Sequence, residues 1–584
     1  MEKSFAFSRV KQELLEQRLK GLASGNGKPS ISKRVNRDSA PVSLAQRQMW
    51  IIDQMTPGNP AYNLPYAFRV RGPLNLRALE DSFNCIIERH ETLRTTFQMV
   101  DGEPQQLVHP GLKIKINVTS LDHLTSDERE ATLQALASEE AIKPFDLHRL
   151  PLIRVSVFRV GNADQVLMVT LHHIIADGLS VALLLNELDA FYQALTHDRR
   201  PHLPDLTLQY ADFAEWERRT LGHEGAYGKQ IEFWQKQLSG TLPVLELPTD
   251  RTRPAFQSFN GSNVFFDLPA VLAQELADMG RQEGATFFMT LLAAFQVLLQ
   301  RYSGADDLVI GTPVAARNPR EVQPLIGSFL NMAALRCDLS GDPTFIELLR
   351  RTRATVLEAF SNSDLPFDAM MKHLKFERDP SRNPVFQVIL QVLPAMTPKL
   401  GDLAVSSFYF DLKFAQFDLS LHLYGESGGY HGRFEYCSDL FDRQTIQRLC
   451  AHYGNLLEAI ARDPNQRIST LPMLTRVERQ ELLVDWNKTS SSQVGHDTCL
   501  HQLIEEQAAR SPDARAATHE PHRPTRTQHR SNPIASDWRI SSVFGTLANR
   551  SKLPNCSAQP LSLRWSAVAR TTKFLRCAGR HSAT

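Results

Sequence analysis

The sequence predicts a mixed α/β fold, and three observations carry that reading. Apolar residues recur at helical spacing in several windows, short β-rich runs alternate with those windows, and the composition is that of a globular chain. The chain has 584 residues, 42% hydrophobic and 22% charged, with 29 Gly and 33 Pro. These values exclude a collagen-like or wholly disordered chain. Val10, Leu14, Leu15, Leu19 and Leu22 predict a lead-in helix over 7–22, and the Gly/Asn/Pro/Ser stretch at 25–30 reads as a linker. Leu76, Leu79, Phe83, Ile86 and Ile87 share one face of a helix over 76–90. The apolar run at 166–171 predicts a buried strand, and Leu184, Leu188, Phe191 and Leu195 return at helical spacing after a short loop. A second apolar helix is expected over 287–301, followed by a strand at 308–313.

Charge divides the chain. From Thr518 to Thr584 there are eleven Arg/Lys and two acids, so the tail carries +9 and the first 517 residues carry −8, although the whole is +1. That near-neutral total argues against a dedicated nucleic-acid binder. The seven cysteines are scattered with no CxxC pair, so neither a zinc site nor a disulfide framework is expected, and reduced thiols in a cytoplasmic protein are the default. The N-terminus has no uninterrupted apolar core, so no signal peptide is expected. No apolar run is long enough for a membrane span. GxxxxGK[ST], GxGxxG and HExxH are absent. Residues 425–429 match GxSxG, but alternating strand-like segments flank them, so a hairpin loop is expected there rather than a nucleophile elbow.

The informative segment is His172-His173-Ile174-Ile175-Ala176-Asp177-Gly178. A strand delivers two adjacent histidines into a loop, and a helix follows. Adjacent strand side chains point to opposite faces, so only one imidazole can face a given cleft. A neutral imidazole accepts a proton near pH 7 and suits general-base or positioning chemistry. Asp177 could order the loop by pairing with a cation, and Gly178 permits close backbone approach. The alternative is one packed and one solvated histidine without chemistry. No further His/Cys/Asp cluster is spaced to complete a metal site.

Read as HHxxxDG, this segment resembles the active-site motif of the condensation domains of nonribosomal peptide synthetases, members of a chloramphenicol-acetyltransferase-like superfamily. Six further segments resemble the family's motifs in order: 43–50 (including Ser43 and Gln46), 89–97, 210–216, 326–336, 363–368 and 378–387. Together they span most of the core, from about Ala40 to Leu471. The resemblance implies two chloramphenicol-acetyltransferase-like lobes in a V-shaped pseudo-dimer, with the histidine loop at their junction. It implies peptide-bond formation, by attack of a carrier-bound aminoacyl amine on a carrier-bound acyl or peptidyl thioester. His173 becomes the catalytic candidate, with His172 supporting. Asp177 becomes structural and paired with Arg89 or Arg94, and Gly178 lines the tunnel. Trp216 and Asn331 match motif positions, with packing as the competing role, while Ser43 and Gln46 are expected to be structural. Intact His172-His173 argues against heterocyclization relatives. The run after Asp177 argues against epimerization relatives.

No cofactor is expected to bind directly. Phosphopantetheine arms would come from upstream donor and downstream acceptor carrier proteins acting in trans, and no nucleic-acid or membrane partner is expected. The competing readings are an inactive remnant or scaffold of a synthetase module, and an acyltransferase to a soluble acceptor. The expected organisation is a helix and linker over 1–39, lobes over 40–205 and 206–470, a linker with an adenylation-domain start over 471–517, and a basic tail over 518–584. The tail lacks sustained periodicity and is expected to be out-of-frame or truncated sequence. The rival is a basic segment for an acidic partner.

Overall fold

The computed structural model describes residues 31–511, apart from 200, 202, 222–226, 316, 318–319, 375–378, 395, 427 and 489–499. The helix expected over 7–22, the linker at 25–30 and the 518–584 tail therefore lie outside the described residues. The chain divides into two units, Met1–Asp485 and Trp486–Thr584. The second contributes one described helix, Leu500–Arg510, and everything below concerns the first.

Its strands are β1 (Ser39–Pro41), β2 (Asn63–Arg71), β3 (Thr95–Val100), β4 (Glu103–Val108), β5 (Asn117–Ser120), β6 (Ile153–Gly161), β7 (Asp164–His172), β8 (Gly261–Pro269), β9 (Asp307–Ala315), β10 (Leu330–Asp338), β11 (Val388–Leu393), β12 (Ala404–Ser407), β13 (Leu419–Glu426) and β14 (Gly429–Cys437). They form a small sheet ordered β1-β4-β3, a five-stranded sheet β12-β2-β7-β6-β5, and a six-stranded sheet β10-β9-β11-β13-β14-β8. The α-helices are α1 (Leu44–Met55), α2 (Leu76–Arg89), α3 (Ser126–Ile142), α4 (Gly178–Thr196), α5 (Tyr210–Leu221), α6 (Gly228–Gln237), α7 (Ala270–Gln282), α8 (Phe287–Ser303), α9 (Phe345–Ser361), α10 (Phe367–Met371), α11 (Arg443–Arg462) and α12 (Arg476–Gln480). The mixed α/β expectation holds. The segments expected at 76–90, 166–171, 287–301 and 308–313 are α2, β7, α8 and β9, each within a few residues of its expected ends.

Each large sheet has its own core. In the first lobe, Leu167, Val169 and Leu171 of β7 pack against Leu79 and Phe83 of α2 and Leu184 and Leu188 of α4. On the other face of β7, Val166 and Met168 meet Leu133, Ala137 and Ala141 of α3. Burial on both faces is why 166–171 reads as a nearly continuous apolar run rather than an alternating one. In the second lobe, Ile310, Leu335, Leu421 and Phe434 from the sheet pack against Leu291 and Phe295 of α8, Leu349 of α9 and Tyr453 of α11. α8 is apolar because it is core, buried without a break from Met289 to Leu299, whereas α7 buries only Ala273, Leu276 and Gly280. Among the described residues no single helix is long and apolar enough to cross a membrane.

The boundary expected at 205/206 is not a clean division of the lobes. β12 comes from the second half of the chain yet pairs antiparallel with β2 of the first sheet, with Val405 opposite Val70. The apolar positions that follow it, Phe408, Phe410, Leu412 and Phe414, join the α3 side of the first lobe's core. The GxSxG match is a hairpin, as expected: β13 and β14 pair antiparallel, with Glu426 opposite Gly429.

Tyr210 of α5 ties the two halves at one point. Its hydroxyl donates to the Ser328 carbonyl at 2.6 Å and lies 2.7 Å from Ser43 Oγ. Gly327 faces the same ring so closely that a Cβ there would stand 1.9 Å from Tyr210 Cδ2. Overpacking of this kind costs about 1–3 kcal/mol. Gly327→Ala is therefore expected to lower the urea midpoint, and the additional change Tyr210→Leu should relieve part of the loss.

Candidate functional site

β7 ends at His172, where it still pairs with Asn63 of β2. The loop 173–177 then turns into α4, with Asp177 as the N-cap. The loop is braced from three sides. The His173 N–H donates to the Tyr62 carbonyl at 2.8 Å, and the Ile175 N–H donates to the His172 carbonyl at 3.1 Å. Gln46 Nε2 donates to the Ile174 carbonyl at 3.1 Å, while Gln46 Oε1 accepts from the Ser43 N–H in the α1 capping box. Ser43 and Gln46 are thus structural, and Gln46 acts on the histidine loop itself.

The two histidines diverge as the pleat requires. His172 is buried, with its ring edge-on to Phe145. Its Nδ1 accepts the Ile174 N–H at 3.1 Å, which leaves the ring proton on Nε2. Burial, with smaller contributions from His173 and Arg154, holds its pKa down at about 3. His173 stays partly open to solvent. Desolvation lowers its pKa too, while hydrogen bonding to the backbone of His173 and Ala176 and the Asp177 charge pull it back. Those backbone groups do not reach good geometry, since Nδ1 is buried without a hydrogen-bond partner. At neutral pH the ring is an uncharged imidazole. Among the described residues Nε2 has no hydrogen-bond partner either.

The sign of the pH dependence follows from His172. Above its ordinary value of 6.5 the ring is neutral whether folded or unfolded; between 6.5 and about 3 only the unfolded chain takes the proton. Each pH unit in that window costs about 1.4 kcal/mol per such group. Stability should fall by about 2 kcal/mol between pH 6.5 and 5 through this residue alone. Urea midpoints measured across that range should fall less steeply for His172→Gln than for the native chain. Equal slopes would remove His172 from the cause.

Asp177 is almost fully buried and saturated with donors. Its Oδ1 accepts the Ser180 N–H at 2.7 Å and Arg317 Nη2 at 3.0 Å, and its Oδ2 accepts the Phe329 N–H at 3.0 Å. The expected partners Arg89 and Arg94 are not its partners. Arg89 Nε pairs with Glu187 at 3.1 Å, and Glu187 also holds His90 Nε2 at 2.9 Å. Arg94 donates to the His109 carbonyl at 2.8 Å. The physical reason is direction: Arg89 turns to Glu187 of α4 and the Pro204 carbonyl, and Arg94 to the His109 carbonyl after β4, whereas the carboxylate faces the second half of the chain. Arg317 comes from the β9–β10 connection. Its Nη1 donates to the Leu325 carbonyl at 2.7 Å, and its guanidinium lies 4.2 Å from the Phe329 ring centroid. Ser180 Oγ closes the knot by donating to the Gly327 carbonyl at 2.6 Å and accepting the Gly327 N–H at 3.0 Å.

The remaining candidates separate clearly. Gly178 opens α4 beside the second sheet, where a Cβ would lie 3.5 Å from Leu393 Cδ2. Asn331 is spent on structure: its Nδ2 donates to the Ser363 and Leu365 carbonyls, and its Oδ1 accepts from Phe367 and Met332. Trp216 packs in the aromatic cluster with Phe213, Tyr210 and Phe329. The structure thus brings His172, His173, Asp177 and Gly178 together, adds Arg317, Ser180 and Gln46, and sets Arg89, Arg94, Asn331 and Trp216 apart. No group of His, Cys, Asp and Glu able to hold a metal occurs among the described residues. What is left is a neutral, partly exposed imidazole where the two halves of the chain meet, with the Asp177–Arg317 ion pair joining them beside it.

A family model described as "Condensation domain" matches residues 36–483. The chain is 43% identical over 489 residues to one of the linear gramicidin synthase polypeptides of Brevibacillus parabrevis, an alignment that covers 83% of this chain and 9% of that polypeptide. The chain spans about a tenth or less of the gramicidin synthase polypeptides that it matches. Among solved structures, the X-domain from teicoplanin biosynthesis superposes with a TM-score of 0.67 at 31% identity, covering 76% of this chain and 100% of that one. The complex of the X-domain with OxyB matches with the same TM-score at 32% identity, covering 77% of this chain and 100% of that one.

Proposed function

The chain belongs to the condensation-domain family of nonribosomal peptide synthetases, and from that premise we propose that it forms an amide bond between two carrier-bound substrates. The acceptor's amine nitrogen attacks the donor's thioester carbonyl. The C–N bond forms, the C–S bond breaks, and the donor carrier keeps a free thiol. His173 Nε2 orients the amine and takes its proton, and the single observation that carries this role is a neutral, partly exposed imidazole whose other nitrogen is buried. General acid–base help of this kind is worth about 10²–10⁴-fold. Holding two tethered reactants together contributes further, up to about 7–11 kcal/mol in the best-oriented cases. His172 fixes the loop and Asp177 fixes the lobe junction. The phosphopantetheine arms belong to separate donor and acceptor carriers. Residues 471–517 are read as a linker leading toward an adenylation domain.

A second reading has an observation behind it. A similar domain, the teicoplanin X-domain, has been solved in complex with OxyB, so a partner-recruiting scaffold is the competing role. The deciding experiment offers one loaded donor carrier with either an aminoacyl carrier or a free amine. Dipeptidyl carrier supports the condensation reading, amide only with the free amine supports a soluble-acceptor acyltransferase, and no amide in either arm supports the scaffold.

A further inference from the structure

The crossover that β12 begins continues past the edge of the first sheet. β12 runs antiparallel to β2, from Ala404 opposite Arg71 to Ser407 opposite Phe68, and the Phe408 N–H then donates to the Ala67 carbonyl at 2.9 Å. The segment thus heads along β2 toward the end where Asn63 pairs with His172. Its apolar residues from Phe408 to Phe414 bury in the first lobe's core on the way. It then reaches Gln416, whose side chain crosses to the turn before β2. Gln416 Nε2 donates to the Ala61 carbonyl at 2.6 Å, a bond between residues 355 positions apart.

Both ends of that contact are fixed. The Gln416 backbone belongs to the second half of the chain. Its N–H donates to the buried Glu435 carboxylate of β14, and its carbonyl accepts from Gln257 Nε2 at 2.7 Å. The neighbouring Ala415 N–H donates to the Phe259 carbonyl at 2.9 Å, and β13 opens soon after, at Leu419. On the other side, Ala61 is fully buried in a short 3-10 turn, Pro60–Tyr62, and Asn59 Oδ1 accepts its N–H at 2.9 Å. The next carbonyl along, that of Tyr62, accepts the His173 N–H at 2.8 Å. The Gln416 contact and the bond that holds His173 therefore fall on consecutive carbonyls of one turn. Since His173 Nδ1 has no hydrogen-bond partner, the ring depends on its backbone and on packing for its placement. Removing the Gln416 donor takes a hydrogen bond from a buried carbonyl, which is costly enough to draw the turn toward another donor, and the Tyr62 carbonyl with it.

We infer that Gln416 is a positioning residue for His173: from the second half of the chain, and through the turn at 60–62, it sets where the imidazole stands. A misplacement of about 1 Å at a reacting group can cost about a hundredfold in rate, so even a partial shift of the turn is felt in the chemical step. The inference rests on the condensation reading and deepens it.

The test uses Gln416→Met, which keeps the length of the side chain and removes its donor, and Gln416→Lys, which restores a donor of similar reach. Gln416→Asn, one methylene short of Ala61, takes the place of Gln416→Met if the latter does not fold. Three quantities are read on the full chain. They are kcat and KM for amide formation between loaded carriers, the urea midpoint, and the His173 ring resonance in NMR of histidine-labelled protein, identified by its loss in His173→Ala. Gln416→Met should lower kcat by about tenfold, leave KM unchanged and move the ring resonance, and Gln416→Lys should recover both. A native kcat or a native ring resonance in Gln416→Met overturns the inference even where the midpoint falls, because a merely structural contact gives that pattern. A loss that Gln416→Lys leaves unrecovered overturns it too. A ring resonance that moves in Gln416→Met and returns in Gln416→Lys, with no amide from the native chain, supports the placement by Gln416 and sinks the condensation reading. No amide from the native chain and an unmoved ring resonance overturns both.

Discussion

Replacing Arg317 with Met should destabilise the chain by about 3–5 kcal/mol, because it strands the Asp177 carboxylate in a buried site. The expectation rests on burial as well as distance. The two side chains are 9% and 3% exposed and lie 3.0 Å apart. Asp177 would keep its backbone donors at Ser180 and Phe329 but lose its counter-charge. Removing both charges together, as Asp177→Asn with Arg317→Met, should cost less than Arg317→Met alone, since a buried charge without a partner is worse than none. Urea unfolding followed by tryptophan fluorescence reads both effects. A native midpoint for Arg317→Met would contradict the role of the pair. Arg89→Met is the comparison, because Arg89 serves Glu187, and its effect should be independent of whether Asp177 is charged.

The second large effect falls on chemistry. His173→Ala should slow amide formation by about 10²–10⁴-fold, the range of a lost general base or proton acceptor. The unfolding midpoint should hold or rise slightly, because the ring is only partly buried and its Nδ1 is unsatisfied where it sits. Binding of both loaded carriers should survive, so the loss appears in kcat. His172→Gln should behave in the opposite sense, altering pH-dependent stability more than the chemical step.

Much of this was legible in the residues. The β7–loop–α4 passage was readable because both flanks carry strong periodicity, and the pleat alone required the two histidines to part company. The motif order marked the whole core. The partner of Asp177 was not legible. Arg317 lies 140 positions away in a connection without apolar periodicity, and only the topology of the six-stranded sheet brings that connection to the N-cap of α4. Arg89 and Arg94 were attractive because they sit in a recognisable motif, but their local geometry commits them to Glu187 and to the His109 carbonyl. The excursion of β12 was hidden for a similar reason. Four residues leave one lobe's sequence to edge the other's sheet, and so short a strand carries almost no pattern of its own.

The proposed reaction joins two tethered substrates through His173. The direct measurement is the mass of the acceptor carrier after one turnover with a loaded donor carrier, for the native chain and for His173→Ala. The expected result is an acceptor arm heavier by the donor acyl group, a donor arm returned to free thiol, and His173→Ala at least about a hundredfold slower. An acceptor mass that changes no faster with the native chain than with His173→Ala would contradict it.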